Sequence, residues 1–175
     1  MKLWDKGFST EKKIEWFTVG NDRELDLVLA RYDVMGSEAH VKMLADMGVF
    51  SPDECKAILG ELSHIATQID NGAFTIEPSF EDVHSKIEYL LTEKLGDTGK
   101  KIHTARSRND QILVDMHLYF KNELAEISRQ IAALFQLFIK LARQHRQVLL
   151  PGYTHLQVAM PSSFGLWFSA YAECL

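Results

Sequence analysis

The stretch DQILVDMHLYFKNELAEISRQIAALFQLFIKLARQHR, Asp110–Arg146, decides the fold class. Leu113, Met116, Phe120, Leu124, Ile127, Ile131, Leu134, Phe138 and Leu141 follow one another by steps of three or four, and no Pro or Gly interrupts them. This is a helical period kept over about four heptads, and at about 1.5 Å per residue it predicts a rod roughly 55 Å long. Ile112, Leu118, Phe135, Leu137 and Ile139 lie off that seam. A helix apolar on more than one side is expected to be buried among several others, or between subunits.

Upstream, stop and start signals cut the chain into further helices. From about Asp22 to Met47, Leu25, Val28, Leu29, Tyr32, Met35 and Leu44 give a helical face; Gly36 is expected to kink it and Gly48 to end it. Ser51, Pro52 and Glu54 form a capping-box start for a helix with Ile58, Leu59, Leu62, Ile65 and Ile69 on its apolar face, stopped by Asn71-Gly72. A third helix is expected from about Phe80 to Leu95, capped by Ser79 and closed by Gly96, with Val83, Ile87, Leu90 and Leu91 inward. Gly96–Asn109 reads as a polar loop, and Pro151-Gly152 and Pro161 bracket a second loop. Beyond Pro161 an aromatic helix begins with Phe164, Leu166, Trp167, Phe168 and Tyr171. No segment alternates with period two. The expected fold class is all-α, with an N-terminal helical domain (1–105) and the incomplete start of a helical bundle (106–175). The apolar ending at Leu175 reads as a truncation point.

Composition narrows the function class. Net charge is −5, which does not suit a nucleic-acid binder, and no apolar run approaches the roughly 20 residues of a membrane span. The start Met1-Lys2-Leu3-Trp4-Asp5 has no signal-peptide core. Cys55 and Cys174 form no CxxC pair, which argues against a metal site or a disulfide framework. The expectation is a globular, cytoplasmic protein.

Two loops carry chemistry. Lys100–Gln111 gathers four cations, a histidine and several hydroxyl and amide groups just ahead of the long helix. Helix-start N–H groups have no intrahelical acceptor, and Arg108 can grip a carboxylate at two points, so the loop suits an anion. The plainer alternative is a solvated basic loop with Asp110 as a cap. In Leu150–Gln157, Thr154 offers a hydroxyl and His155 an imidazole, the side chain suited to proton exchange near neutral pH, although a lone histidine is more often structural. His84, in Glu81-Asp82-Val83-His84-Ser85, is a third candidate, against the simple reading of an acidic first turn.

In combination these segments say more. Thr104-Ala105-Arg106-Ser107-Arg108-Asn109-Asp110-Gln111 resembles the Thr-Gly-Arg-Ser-Arg-Asn-Asp-Gln signature of argininosuccinate lyases, and Pro151–Gln157 is similar to that family's second signature. Glu81–Ser85, Asp33-Val34-Met35-Gly36-Ser37, and Leu3-Trp4 with Gly7-Phe8 resemble further family stretches, in family order. The resemblance covers nearly the whole chain. It implies the all-helical fumarase/aspartase-like fold and a β-elimination that splits argininosuccinate into arginine and fumarate, without metal or organic cofactor. A base would take the proton beside a succinyl carboxylate, N–H donors would hold the charge developing there, and an acid would protonate the leaving guanidino nitrogen.

By that resemblance His155 takes part in proton transfer. Asn109 and Thr154 contact substrate, Ser107 and Arg108 hold carboxylates, and His84 and Gln157 are further substrate-side candidates. It also implies a homotetramer whose active sites are shared between subunits and an inactive isolated 175-residue piece; charge and hydropathy, as above, argue for no nucleic-acid or membrane partner. This sequence departs from the pattern at Ala105, where the family has glycine, and at Val158 and Met160, where it usually has Arg and Gln. The readings left open are another fumarate-releasing lyase of the adenylosuccinate lyase or fumarase type, or a non-catalytic, crystallin-like protein.

Overall fold

Ser51 opens the helix whose start is best specified. Its hydroxyl accepts the Glu54 N–H at 3.2 Å while the Glu54 carboxylate accepts the Ser51 N–H at 2.8 Å, and Pro52 occupies a position that has no N–H to satisfy. The structure, a computed structural model, describes residues 12–175; the stretches Leu3-Trp4 and Gly7-Phe8 lie outside them. Seven helices and one hairpin are described: α1 (Lys12–Val19), α2 (Asp22–Asp46), α3 (Pro52–Asp70), α4 (Val83–Leu95), α5 (Asp97–Lys100), a 3-10 turn (Lys101–His103), α6 (Arg108–Gln144), β1 (Leu149–Thr154), β2 (Gln157–Ser163) and α7 (Phe164–Glu173). The all-helical class therefore holds, with one small sheet added. None of the described helices is long and apolar enough to cross a membrane.

The chain divides into two compact units, one ending at Phe120 and the other spanning Lys121–Leu175. In the first, α2, α3 and α4 pack on one another around Val34, Val41, Leu44, Ile58, Leu62, Ile65, Val83, Ile87 and Leu91, all buried. The buried stripe of α2 is Ala30, Val34, Ser37, Val41 and Leu44, while Leu25, Val28 and Met35 are exposed. The helix is apolar on two sides, and periodicity alone does not tell which side meets α3 and α4. Gly36 does not break α2; a Cβ there would meet Val114 Cγ1 at 3.2 Å, so the glycine admits α6 instead. Asp82, not Ser79, caps α4, accepting the Ser85 N–H at 2.7 Å, and Asp26 of α2 accepts the Val83 N–H at 3.1 Å. The helix accordingly begins three residues later than the apolar pattern suggests.

The Gly96–Asn109 stretch is less of a loop than its composition implies, since it holds α5, the 3-10 turn and the first two residues of α6. Gly99 makes this possible. A Cβ there would lie 2.3 Å from the Leu91 carbonyl oxygen, so only glycine lets α5 press against the end of α4.

In the second unit the expected loop at Pro151 is an antiparallel hairpin, pairing Leu149 with Ser163 through to Thr154 with Gln157. A bulge follows Gly152, where a Cβ would meet Met160 Cγ at 2.9 Å. Both strands are mostly exposed and hold no fully buried residue, so their sequences lack the apolar–polar alternation that marks a strand with one buried face. Ser163 caps α7 through the Leu166 N–H at 3.1 Å, and Phe138 of α6 packs on Phe168 and Tyr171 with ring centroids 6.3 and 6.0 Å apart. Along α6, Leu113, Met116, Phe120, Leu124, Ile127, Ile131 and Leu134 are exposed. From Leu113 to Leu134 the heptad seam has no covering element among the described residues.

Candidate functional site

The chain from Thr104 to Gln111 turns from the 3-10 helix into α6, and several contacts fix its path. His40 of α2 donates its Nε2–H to the Thr104 carbonyl at 2.9 Å. Ala105 follows with φ +56°, the left-handed conformation in which glycine is at home. Replacing Ala105 by Gly removes about 1–2 kcal/mol of strain and returns roughly 0.4–1 kcal/mol of unfolded-chain entropy. A net gain of about 0–1.5 kcal/mol is expected, read as a higher urea midpoint at constant slope. Ser107 then caps α6: its hydroxyl accepts the Asp110 N–H at 3.2 Å, and the Asp110 carboxylate accepts the Ser107 N–H and hydroxyl, both at 2.8 Å.

The four cations of Lys100–Gln111 are all engaged within the first unit. Lys100 pairs with Asp97 at 2.8 Å, and Lys101 with Glu54 at 2.6 Å. That hydrogen bond from Lys101, with the Ser51 N–H, holds the Glu54 carboxyl down at about 2. Arg106 donates Nη1–H to Ser37 Oγ at 3.2 Å. Arg108 donates Nη1–H to Gln111 Oε1 at 3.5 Å and lies 3.6 Å from Asp82 and 3.9 Å from Glu88. The loop is therefore not a bare basic patch. Asn109 and Thr104 are exposed, and an open cavity of about 560 Å³ between α2 and the start of α6 lies under Ala105 and Arg106, walled by Met35, Met43, Val114 and Leu118.

Beneath the loop sits a buried polar cluster. His84 (2% exposed) donates Nδ1–H to Asp33 Oδ1 at 3.0 Å and lies 3.7 Å from Asp115 Oδ2; both carboxylates are 1% exposed. Gln111 donates Nε2–H to the same Asp33 oxygen at 3.4 Å. Burial disfavours a charged His84, but the Asp33 hydrogen bond and charge, with Asp82 and Asp115, outweigh it and raise the imidazole above its usual 6.5. Burial first, then the Asp33 charge, pushes the Asp115 carboxyl up to about 7. Asp33, His84 and Asp115 offer ligand atoms within 4.8 Å of one another, close enough to hold a cation. The His84–Asp33 hydrogen bond and the nearby Arg106 charge already compensate those carboxylates.

Thr154, His155 and Gln157 lie in the second unit, at the hairpin turn. His155 (φ +48°) and Leu156 (φ +64°) both adopt the left-handed conformation, which a two-residue turn needs to match the strand twist. The pair that closes the turn is Thr154 with Gln157. All four residues are exposed, and Leu156 is 98% exposed. Val158 and Met160 are exposed along β2. Within the first unit the structure brings His84 and Arg108 together through Asp33 and Gln111. Ser107 is committed to capping, and the Asn109 side chain has no hydrogen bond among the described residues. Asp33, Ser37, Arg106, Gln111 and Asp115 complete the buried network. The sequence marked Asp33 and Ser37 only by resemblance, and Asp115 by nothing.

With this geometry in hand, comparisons with known proteins are specific. The chain is 52% identical over 174 residues to argininosuccinate lyase of Phocaeicola vulgatus, and likewise to that of Bacteroides thetaiotaomicron, covering 99% of this chain and 39% of each relative. It is 43% identical over 175 residues to argininosuccinate lyase of Moorella thermoacetica, covering 37% of that protein. The chain thus spans about two fifths of the length of the curated relatives it matches. Among solved structures, the fumarate lyase:delta crystallin of Brucella melitensis matches 95% of this chain and 42% of its own, with TM-score 0.71 and 16% identity. The fumarate lyase of Mesorhizobium sp. BNC1 matches 95% and 38%, with TM-score 0.66 and 22% identity. These two support the fold. A family profile described as "Lyase" matches residues 9–175, and on that match the chain belongs to the lyase family.

Proposed function

We propose that the protein containing this chain is an argininosuccinate lyase, releasing fumarate from argininosuccinate and leaving arginine. The observation that carries this is the 52% identity to curated argininosuccinate lyases over 99% of the chain, both signature loops included. On this reading residues 1–105 are the N-terminal helical domain and 106–175 begin the central bundle of a cytoplasmic homotetramer that serves arginine biosynthesis. The exposed α6 seam supports such a bundle, because an apolar stripe of this length favours cover.

His155 is assigned to proton transfer. An exposed imidazole at a turn whose backbone is fixed by pairing on both sides can reach a bound substrate. Asn109 and Thr154, also exposed, contact the substrate, and Gln157 sits across from Thr154 on the other strand. The α6 N-terminus supplies N–H groups toward a carboxylate, with the Ser107 cap holding that helix start in place. Arg108 is assigned to carboxylate binding, which its long contacts to Asp82 and Glu88 leave it able to exchange for a substrate anion. His84 has its ring enclosed by Asp33 and Asp115, which supports a holding role beneath the loop rather than direct substrate contact.

The test is the complete gene product supplied with argininosuccinate, with fumarate and arginine followed together. Equal amounts of both establish the reaction. Turnover of adenylosuccinate or malate instead would reassign the protein to a sibling lyase, and silence toward all three from a folded protein would end the enzymatic reading. The 175-residue chain alone is expected to release no fumarate.

A further inference from the structure

We propose that Gln111 is a positioning residue, fixing the Arg108 guanidinium to the buried Asp33–His84 pair so that the cationic loop meets substrate in one orientation. The proposal rests on the lyase reading for its kinetic consequence but stands on geometry by itself. Gln111 is 6% exposed, so its amide must find both a donor and an acceptor role inside the protein. It does so in one direction only: Nε2–H toward Asp33 Oδ1 at 3.4 Å, Oε1 toward Arg108 Nη1 at 3.5 Å.

No other side chain of similar length fits both ends. Glutamate would set a second carboxylate against Asp33, and lysine a second cation against Arg108. Among unbranched chains of this length, the amide is the group that is donor at one end and acceptor at the other. Among the described residues, the Arg108 side chain makes no other hydrogen bond; its Nη2 is buried without one, and Asp82 and Glu88 hold it only through charge at 3.6 and 3.9 Å. Charge at such distances attracts without fixing direction, and the Gln111 contact, long at 3.5 Å, is the one with hydrogen-bond geometry to the guanidinium. Asp33 in turn is anchored by His84 at 3.0 Å, which ties α2 to α4. Gln111 therefore connects a rigid junction of three helices to the one arginine in the loop that faces a carboxylate on the proposed reading.

The experiment uses the complete gene product with Gln111→Met, Arg108→Met and the double variant. Gln111→Met keeps length and removes both hydrogen bonds. Its KM for argininosuccinate is expected to rise about tenfold with kcat little changed, the mark of lost binding that is equal in ground and transition states. In the Arg108→Met background the same substitution is expected to change KM by less than about twofold, because the two residues act as one unit. An equal effect in both backgrounds, or a lowered melting temperature with KM and kcat unchanged, overturns the proposal.

A second readout needs no turnover: the rate at which phenylglyoxal modifies Arg108, followed by peptide mass. It is expected to rise several-fold in Gln111→Met and to return toward the parent rate in Gln111→Glu, which restores an acceptor for Arg108. An unchanged rate in Gln111→Met overturns the positioning role. A raised rate in a protein that never cleaves argininosuccinate sinks the lyase reading and leaves the positioning role standing.

Discussion

Replacing His155 by Asn in the complete gene product is expected to lower kcat for fumarate release by about 10²–10⁴-fold, the usual contribution of a positioned proton-transfer group. Asn is the right replacement because of the backbone. His155 sits at φ +48°, a conformation that Asn tolerates far better than most side chains, so the turn survives while the imidazole is lost. A β-branched residue at the same position would disturb the turn, the Thr154–Gln157 pair and the bulge at once, and its kinetics could not be read. The check is steady-state kinetics alongside a thermal melt. A kcat within threefold of the parent, with the melt unchanged, would remove His155 from the chemistry and leave it as a turn residue.

Replacing Asp115 by Asn should make the protein more stable at alkaline pH, although it deletes a buried charged group. The Asp115 carboxyl is pushed from 3.8 to about 7 by burial and by the Asp33 charge. A folded pKa above the unfolded one means that the folded state holds a proton the unfolded state has released. Stability is therefore full below about pH 4, falls as pH rises toward 7, and has lost the whole contribution above that. At 1.36 kcal/mol per unit the loss is about 4 kcal/mol.

His84 works in the same direction, since its raised pKa also contributes stability that is present below 6.5 and lost as pH climbs through the folded value. Asparagine mimics the protonated acid at every pH. Urea unfolding at pH 4.5, 6 and 8 should show Asp115→Asn ahead by about 1 kcal/mol at the lowest pH and by up to about 4 kcal/mol at the highest. Parallel curves across the three would show that Asp115 is ionised in the folded protein throughout.

What could be read from the sequence was whatever is encoded locally. The capping box of Ser51 and Glu54, the stops at Gly48, Gly72 and Gly96, and the unbroken period of α6 each specify a helix within a few residues of chain, and each is present. The left-handed conformation of Ala105 was foreshadowed in the same way, by a family glycine at that position. The hairpin escaped because its signals were the wrong ones. Pro151, Gly152 and Pro161 punctuate both strands, and a His-Leu turn lacks the usual Asn-Gly mark.

The buried cluster escaped for a different reason. Asp115 stands among the apolar positions of α6 like any solvent-facing residue, and only the arrival of Asp33 and His84 from other helices makes its burial tolerable. Such a meeting has no local signature. The same holds for the α2 stripe, where two apolar faces compete and the choice between them belongs to α3 and α4.

That junction also has a history within each molecule's making. Asp33 and Asp115 are 82 residues apart in the chain. At about 5–20 residues per second, roughly 4–16 s pass between the synthesis of one and of the other. Early in that interval α2 and α3 are complete and can pair through Val34, Val41, Ile58 and Leu62, whereas His84, Arg106 and Gln111, which compensate Asp33, are made only later in it. The order of synthesis thus makes the apolar α2–α3 contacts available first, and the full set of groups that offset the buried charges available last.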